Sequence, residues 1–345
     1  MEAKEYLYHH SEEFKLESGS ALPGFQLKYT TLGKLNAERS NVVWVCHALT
    51  GDSSVNDWWG DLFVEDGPFD PRENFIICAN VLGGCYGSTG PLSINPDSKE
   101  SFYHDFPIIT NHDVVRAFDA LRVHLGIDQI HTLIGASLGG QQVLTWAIQQ
   151  PEIFEHIIPI ACNAKHSPWG IAINEAQRMA IVADQTWKLK KSTAGLEGLK
   201  AARAMSMPTF RSFEAFESQN DEGNQKLEGF NAASYQRYQG EKLTNRFNAF
   251  SYWTLTEVMD SHNVGRGFAN IKEALNTIHA KVLVIGIDSD LLFPIAEQDF
   301  IFKNIRNAQF EVIQSKYGHD AFLIEINKLK SIIQLFIKSK FVYNE

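Results

Sequence analysis

The residues best suited to chemistry are a serine, an aspartate and a histidine that follow one another along the chain. Ser137 lies in the stretch G-A-S-L-G, between Gly135 and Gly139. This spacing is typical of a nucleophile elbow, a strained turn from a strand into a helix where bulky neighbours would clash. An apolar strand precedes the turn and an amphipathic helix follows it, which is the context that the motif requires. We therefore predict that Ser137 is the nucleophile of an acyl-transfer reaction.

A serine on such an elbow needs a carboxylate and a histidine that come later in the chain, in that order. His319 is the only histidine after His279, and it follows a short apolar run that ends at residue 313. The preceding apolar run ends at I-D-S-D, which offers Asp288 and Asp290. We prefer Asp290, because it lies further along the loop and can turn toward His319, and Asp288 is the alternative. Alone, Asp290 could cap a helix and His319 could be a surface histidine, but together with Ser137 they predict a catalytic triad.

The negative charge that forms during acyl transfer requires backbone N–H donors near the serine oxygen. The residue after the serine, Leu138, begins the helix and supplies one predicted donor. The second should come from the loop after the first buried strand, H-A-L-T-G, where we choose Leu49. His47 in the same loop precedes the serine in the chain, so we assign it to shaping the loop rather than to proton transfer.

Buried strands and helices that alternate along the chain must hold these residues in place. Apolar runs predict strands at 41–49, 74–83, 132–134, 157–162, 280–287 and 309–313. A helix is predicted from Thr110 to Gly126, and another follows Ser137. The alternation indicates an α/β fold whose mostly parallel sheet carries helices on both faces. Residues 12–33 alternate between apolar and polar side chains, which favours an antiparallel pair at a sheet edge.

The pattern changes between residues 164 and 263, where no buried strand is visible. Helical segments are predicted there at 173–183, 195–205, 232–239 and 250–259. About 100 residues is far longer than an ordinary connection between a strand and a helix. We therefore predict a core domain formed by residues 1–163 and 264–345, with residues 164–263 inserted as a helical lid.

The composition restricts the possible partners and compartments. The 345 residues carry a formal net charge of −10, which argues against binding to nucleic acid or to an anionic membrane. The first residues contain no apolar signal-peptide segment, and no apolar run approaches the roughly 18 residues of a membrane span. The four cysteines lack metal-ligand spacing, so we expect no metal site. These features predict a cytoplasmic protein.

Six further stretches carry a resemblance to a known family. They are H-A-L-T-G-D-S (47–53), L-G-G-C-Y-G-S-T-G-P-L-S-I-N-P (82–96), N-E-A-Q-R-M-A-I (174–181), S-Y-Q-R-Y-Q-G (234–240), S-D-L-L-F-P (289–294) and G-H-D-A-F-L-I-E (318–325). With these motifs in this order, the chain resembles the homoserine O-acetyltransferase family of the α/β-hydrolase fold along nearly its whole length.

The resemblance implies transfer of an acetyl group from acetyl-CoA to the hydroxyl of L-homoserine, in methionine biosynthesis. It implies a ping-pong mechanism with an acetyl-Ser137 intermediate and His319 as base. Acetyl-CoA would be a co-substrate, and no cofactor would be permanently bound. The resemblance also implies that Arg211 clamps the substrate carboxylate and that Asp320 holds its ammonium group. The alternatives are that Arg211 is a surface arginine of the lid and that Asp320 caps the last helix. We further expect a homodimer that forms through the lid helices.

The chain departs from the family pattern at two places. Typical members read G-G-S-M-G-G at the elbow, where this chain has Ala136 and Leu138, and the stretch 183–191 replaces a glycine-containing segment. Rival functions are a homoserine or serine O-succinyltransferase, an esterase and a hydrolase-like binding protein. The long lid argues against an esterase, because transfer needs water kept away from the acyl-enzyme, and a complete triad argues against a mere binding protein.

Overall fold

The computed structural model describes residues 2–338 of the chain. Their strands are β1 (Lys4–His10), β2 (Phe14–Lys15), β3 (Ala21–Leu22), β4 (Phe25–Leu32), β5 (Val42–Cys46), β6 (Phe75–Ala79), β7 (Ile130–Ala136), β8 (Phe154–Ile160), β9 (Lys281–Ile287) and β10 (Ala308–Ile313). Eight of them form one sheet in the order β1-β4-β6-β5-β7-β8-β9-β10. Six of these strands, β6, β5, β7, β8, β9 and β10, run parallel to one another. Strand β4 runs antiparallel to both of its neighbours, β6 and the edge strand β1. The predicted α/β fold with a mostly parallel sheet is confirmed.

The antiparallel edge differs in detail from the prediction. The partner of β4 is β1, paired from Lys4 with Thr31 to His10 with Phe25. The first part of the predicted pair, Phe14–Lys15, instead joins Ala21–Leu22 in a separate two-stranded ribbon. The alternating pattern identified the side chains that face the core, but not which strands pair with each other, because strand pairing depends on contacts between distant residues.

The helices of the described residues are α1 (Val55–Trp59), α2 (Asn111–His124), α3 (Leu138–Gln149), α4 (Pro168–Ala183), α5 (Leu196–Phe210), α6 (Phe213–Gln219), α7 (Asn231–Thr244), α8 (Ala249–Asp260), α9 (Ile271–Asn276), α10 (Ile295–Lys303), α11 (Ala321–Ile324) and α12 (Ile326–Lys338). None of these described helices is long and apolar enough to cross a membrane.

Strand β5 shows why the central strands read as continuous apolar runs. All five of its side chains are buried, because helices cover both faces of the sheet. Trp44 points to the side of α2 and α3, where its ring meets that of Trp146 at 4.9 Å. Val43 and Val45 point to the other side, toward α1 and α12. Each such buried side chain contributes about 1.5–3 kcal/mol to folding, and together they fix the sheet edge that carries the site.

Helices α4 to α8 lie between β8 and β9, and we call residues 164–263 the lid. The two ends of this segment meet. Lys165 forms a β-bridge with Asn263, and the N–H of Val264 donates to the carbonyl oxygen of Ala164 at 2.9 Å. The chain therefore leaves and re-enters the sheet region at one place, although the division into a core domain and a lid domain stays a prediction. Helix α6 was missed by the sequence analysis.

Candidate active site

Ser137 occupies the turn between β7 and α3 with a strained backbone, at φ 58° and ψ −124°. A residue other than glycine rarely adopts a positive φ, and such strain often marks a functional site. The turn is fixed because the N–H of Ser137 donates to the carbonyl oxygen of Ile160 at 3.0 Å. Its side chain therefore stands at the carboxyl end of the parallel strands, before the first turn of α3.

The glycines of the elbow are required by close backbone packing. A Cβ on Gly139 would lie 2.1 Å from the carbonyl oxygen of Cys46, and one on Gly135 would lie 2.6 Å from the backbone of Gly139. Distances this short are impossible for real side chains without backbone movement. The packing thus presses α3 against β5 and holds its amino end behind Ser137.

Asp290 and His319 meet in the loops after β9 and β10. His319 Nδ1 lies 2.6 Å from Asp290 Oδ2, and the other oxygen, Oδ1, accepts the N–H groups of Leu292 and Phe293 at 2.8 and 2.9 Å. With its Nδ1–H donating to Asp290, the ring leaves Nε2 free to accept a proton. Burial lowers the pKa of His319, but the charge and hydrogen bond of Asp290 outweigh it, so the pKa is raised overall.

Asp288, the alternative acid, and His47, which the sequence assigns to shaping its loop, both have other partners. Asp288 is exposed, and its Oδ1 accepts the N–H of Ser315 at 2.9 Å. His47 is buried, its Nδ1 donates to the Ala48 carbonyl oxygen at 2.9 Å, and its Nε2 accepts the N–H of Val81 at 3.0 Å. Both nitrogens of His47 are occupied, so this histidine shapes the loop.

The predicted oxyanion donors have unused N–H groups. Within residues 2–338, neither the Leu49 N–H nor the Leu138 N–H donates a hydrogen bond to another residue. The Leu138 N–H begins α3, where the helix dipole also favours negative charge. These two groups are therefore available for a developing oxyanion, as an oxyanion hole requires.

A cavity of about 540 Å³ lies above Ser137, between the core and the lid. Ser137, His319 and Asp320 line it from the core. The lid contributes Ile173, Asn174, Gln177, Arg203, Phe210, Lys242, Arg246 and Met259. This volume suits the reacting end of a small substrate but not a whole nucleotide carrier, which must extend out of the mouth.

Arg211 and Asp320 form an ion pair, with 3.0 Å between Arg211 Nε and Asp320 Oδ2. The N–H direction is poor, so the contact is electrostatic rather than a well-formed hydrogen bond. Asp320 lines the cavity, whereas Arg211 is absent from the lining among the described residues. Burial raises the pKa of Asp320, against the opposing charges of Arg211 and Arg203.

Arg203 is a cavity residue that the sequence analysis missed. Its guanidinium lies 4.9 Å from the centroid of the Phe210 ring and lines the cavity near Asp320. Burial lowers the pKa of Arg203, an unusual environment for a guanidinium. A single arginine in a lid helix gives no sequence signal, because only the packing of α5 against the core decides which way it faces.

The described residues contain one cluster with metal-ligand chemistry, and it lies away from this cavity. Ligand atoms of His131, Glu155 and His156 lie within 4.8 Å of one another near the amino ends of β7 and β8. Ser137 is at the opposite, carboxyl edge of the same strands. Lys281 Nζ already lies 3.9 Å from Glu155, so a cation there would meet a competing charge. The absence of a metal from the chemistry at Ser137 stays a prediction.

Comparison with known proteins places this chain in a family. Residues 41–325 match the profile of the α/β-hydrolase fold. A homoserine O-acetyltransferase of Cyclobacterium marinum is 49% identical over 336 residues, which cover 97% of this chain and 96% of that one. The chain belongs to the homoserine O-acetyltransferase family. The resemblance carried by the motifs is thereby confirmed.

Solved structures agree with the family's fold. A homoserine O-acetyltransferase from Bacillus anthracis superposes with a TM-score of 0.92 at 24% identity, covering 99% of both chains. Esterase E22 superposes with a TM-score of 0.89 at 21% identity, covering 98% of this chain and all of that one. At this identity both comparisons concern the fold alone. A member of the homoserine O-acetyltransferase family thus shares its architecture with an esterase.

Proposed function

We propose that this enzyme transfers an acetyl group from acetyl-CoA to the hydroxyl of L-homoserine, a step of methionine biosynthesis. The observation that carries the proposal is the buried 2.6 Å bond between His319 and Asp290, in a cavity shared with the Ser137 elbow. Lid residues cover the reacting serine on one side of the cavity, which suits transfer to an amino acid better than to water.

The chemistry proceeds in two half-reactions. His319 Nε2 takes the proton of Ser137 Oγ, which attacks the thioester carbon, and the oxyanion is stabilised by the N–H groups of Leu49 and Leu138. The C–S bond breaks, the thiolate of CoA takes the proton from His319, and acetyl-Ser137 remains. The homoserine hydroxyl then gives its proton to His319 and attacks the ester carbon. The bond from that carbon to Ser137 Oγ breaks, His319 returns the proton to Oγ, and O-acetylhomoserine leaves.

Two charged side chains would orient the acceptor. Asp320 lines the cavity beside His319 and would bind the ammonium group of homoserine. Arg211 is the carboxylate clamp that the family resemblance implies, with its Nε held by Asp320. Arg203 is a second candidate for the clamp, since its guanidinium lines the cavity itself. Holding both ends would direct the hydroxyl toward acetyl-Ser137.

A product assay tests the proposal directly. The purified enzyme is incubated with homoserine or serine against acetyl-CoA or succinyl-CoA, and the products are identified by mass. We expect O-acetylhomoserine as the main product. Succinylated products, O-acetylserine or free acetate alone would replace the proposal with a succinyltransferase, a serine acetyltransferase or an esterase.

We also propose a homodimer that forms through the lid. The outward faces of lid helices α4 to α6 carry large apolar side chains, including Met179, Val182, Met205 and Phe213, each at least half exposed. Large apolar side chains exposed on neighbouring helices are typical of protein interfaces. Sedimentation of the wild type and of Met179→Glu tests this, with the dimer expected for the first and weakened in the second. A wild type that sediments as a monomer would exclude the dimer.

A further inference from the structure

The loop that carries the Leu49 N–H is anchored from below by the core. The side-chain oxygen of Asn80 accepts the N–H of Ser53 at 2.8 Å, and its Nδ2 donates to Ser53 Oγ at 3.2 Å. Within the loop, the N–H of Gly51 donates to the carbonyl oxygen of Ala48 at 2.9 Å and closes a tight turn around Leu49. His47 Nδ1 donates to the same Ala48 oxygen at 2.9 Å, so the core holds Ser53 and the Ala48–Leu49 peptide. Within residues 2–338 the core forms no hydrogen bond with Thr50, at the tip of the loop.

The tip is held by one residue of the lid, Arg246, in the connection between α7 and α8. Its Nη1 donates to the carbonyl oxygen of Thr50 at 2.5 Å and lies 2.6 Å from the Tyr86 hydroxyl, and its Nη2 donates to Thr50 Oγ1 at 3.4 Å. Within residues 2–338, every hydrogen bond between the lid and the loop 47–53 comes from Arg246. The ring of the next residue, Phe247, packs against the Tyr86 ring at 5.7 Å, so two neighbouring lid residues contact Tyr86.

These bonds form a continuous path from the lid to the oxyanion donor. Arg246 binds the oxygen of the Thr50–Gly51 peptide, and the N–H of that same peptide binds the oxygen of the Ala48–Leu49 peptide. The N–H of this last peptide belongs to Leu49, the predicted oxyanion donor. The charged donor orients the Thr50–Gly51 peptide directly, and the Ala48–Leu49 peptide together with His47 Nδ1, because hydrogen-bonded peptides polarise one another.

We propose that Arg246 is a positioning residue that holds the oxyanion hole in place from the lid. It acts through the Leu49 N–H on the oxyanion that forms in both half-reactions, which the acylation of Ser137 isolates, and not on binding of the acceptor. The inference rests on the proposed function only for the assignment of Ser137 and Leu49 to acyl transfer. A lid that has moved away would remove the bonds to Thr50 and leave the Ala48–Leu49 peptide with only its contacts from His47 and Gly51, so the thioester is attacked most efficiently when the lid covers the serine.

The test measures acylation with two donors in Arg246→Ala and Arg246→Lys. Acetylation of Ser137 is followed in single turnovers with acetyl-CoA, and as the burst of nitrophenolate from p-nitrophenyl acetate, which has no phosphates. We expect the maximal acylation rate to fall roughly 10–100-fold in Arg246→Ala with both donors, with KM within about threefold of wild type, because a slightly misplaced donor loses transition-state stabilisation. Arg246→Lys should recover part of the rate, since an ammonium can reach one acceptor but not the whole fork.

The matched control is Arg237→Ala, an exposed arginine on α7 whose hydrogen bond goes to Ser234 in its own helix. It should acylate like wild type. A rise in KM for acetyl-CoA with an unchanged burst from p-nitrophenyl acetate would mean that Arg246 binds the phosphates of CoA, and the proposal would be wrong.

Two further outcomes are distinguishable. Should Arg246→Ala fail to fold, judged by its melting curve, Arg246→Lys decides, and an unchanged acylation rate in that variant overturns the proposal. A wild type that acylates with p-nitrophenyl acetate but makes no O-acetylhomoserine would sink the proposed function alone. The acylation rates of the Arg246 variants would still test the proposed role of Arg246 independently.

Discussion

Asp290 accepts three hydrogen bonds, and the one from His319 Nδ1 joins two loops that are 29 residues apart in the chain. The backbone N–H groups of Leu292 and Phe293 fix the orientation of the carboxylate that accepts the hydrogen bond from the imidazole. Such a carboxylate holds the ring in one tautomer and favours the charged imidazolium that forms during the reaction. The relationship gives the triad both its geometry and its dependence on pH.

Replacing Asp290 by Asn should lower kcat roughly 10³–10⁴-fold, because the imidazole loses its orienting carboxylate. The base must be neutral to work, so activity is lost as the pH falls through the pKa of His319. Asp290 raises that pKa, and its removal should move the acid limb of kcat/KM to lower pH. Asp288→Asn, an exposed carboxylate, is the control and should change little. The reverse ranking of the two variants would move the acid to Asp288.

The covalent step predicts an acetylated serine. Incubation with acetyl-CoA and no acceptor should add one acetyl group to the peptide that contains Ser137, and none in Ser137→Ala. The measurement is peptide mass spectrometry after rapid quench. An unmodified peptide in an enzyme that is otherwise active would exclude the ping-pong mechanism.

The two arginines near Asp320 should affect the second half-reaction selectively. Loss of a charge-assisted clamp costs about 1.5–3 kcal/mol, so Arg211→Ala should raise KM for homoserine roughly 10–100-fold while acetylation of Ser137 proceeds almost as before. Arg203→Ala is measured in parallel, and the larger rise in KM identifies the clamp. If Arg211→Ala slows acetylation as much as transfer to homoserine, its proposed role is wrong and it supports the His319 loop instead.

Glu297 on α10 should make stability depend on pH. Burial raises its pKa from 4.5 to about 7, with a further contribution from the charge of Asp290. A carboxyl group whose pKa is raised by folding favours the folded state at low pH, and this stability is lost as the pH rises from 4.5 through about 7. Glu297→Gln removes the titration, so its melting temperature relative to wild type should increase with pH across this range. Asp299→Asn on the same helix is the control, and parallel curves for Glu297→Gln and wild type would contradict the assignment.

The sequence by itself determined the order of the elements and the identity of the family. The elbow around Ser137 could be recognised because its G-x-S-x-G spacing, between an apolar strand and an amphipathic helix, is a local pattern. The structure added that Gly139 also packs against the distant backbone of Cys46. The parallel sheet could be predicted from the sequence because strands that are buried on both faces are continuously apolar. Asp290 and His319 could be chosen because each follows its own strand, and parallel strands end at the same edge.

Other features depended on contacts that no local pattern encodes. The partner of β4 turned out to be β1, since pairing is decided by which distant edge is free. Whether Arg203 or Arg211 faces the cavity depends on how α5 packs on the core, because a side chain's direction changes by about 100° with each residue of a helix. The bond from Arg246 to Thr50 spans 196 residues. Only the tertiary structure decides such contacts, because they form between surfaces that the folded core brings together.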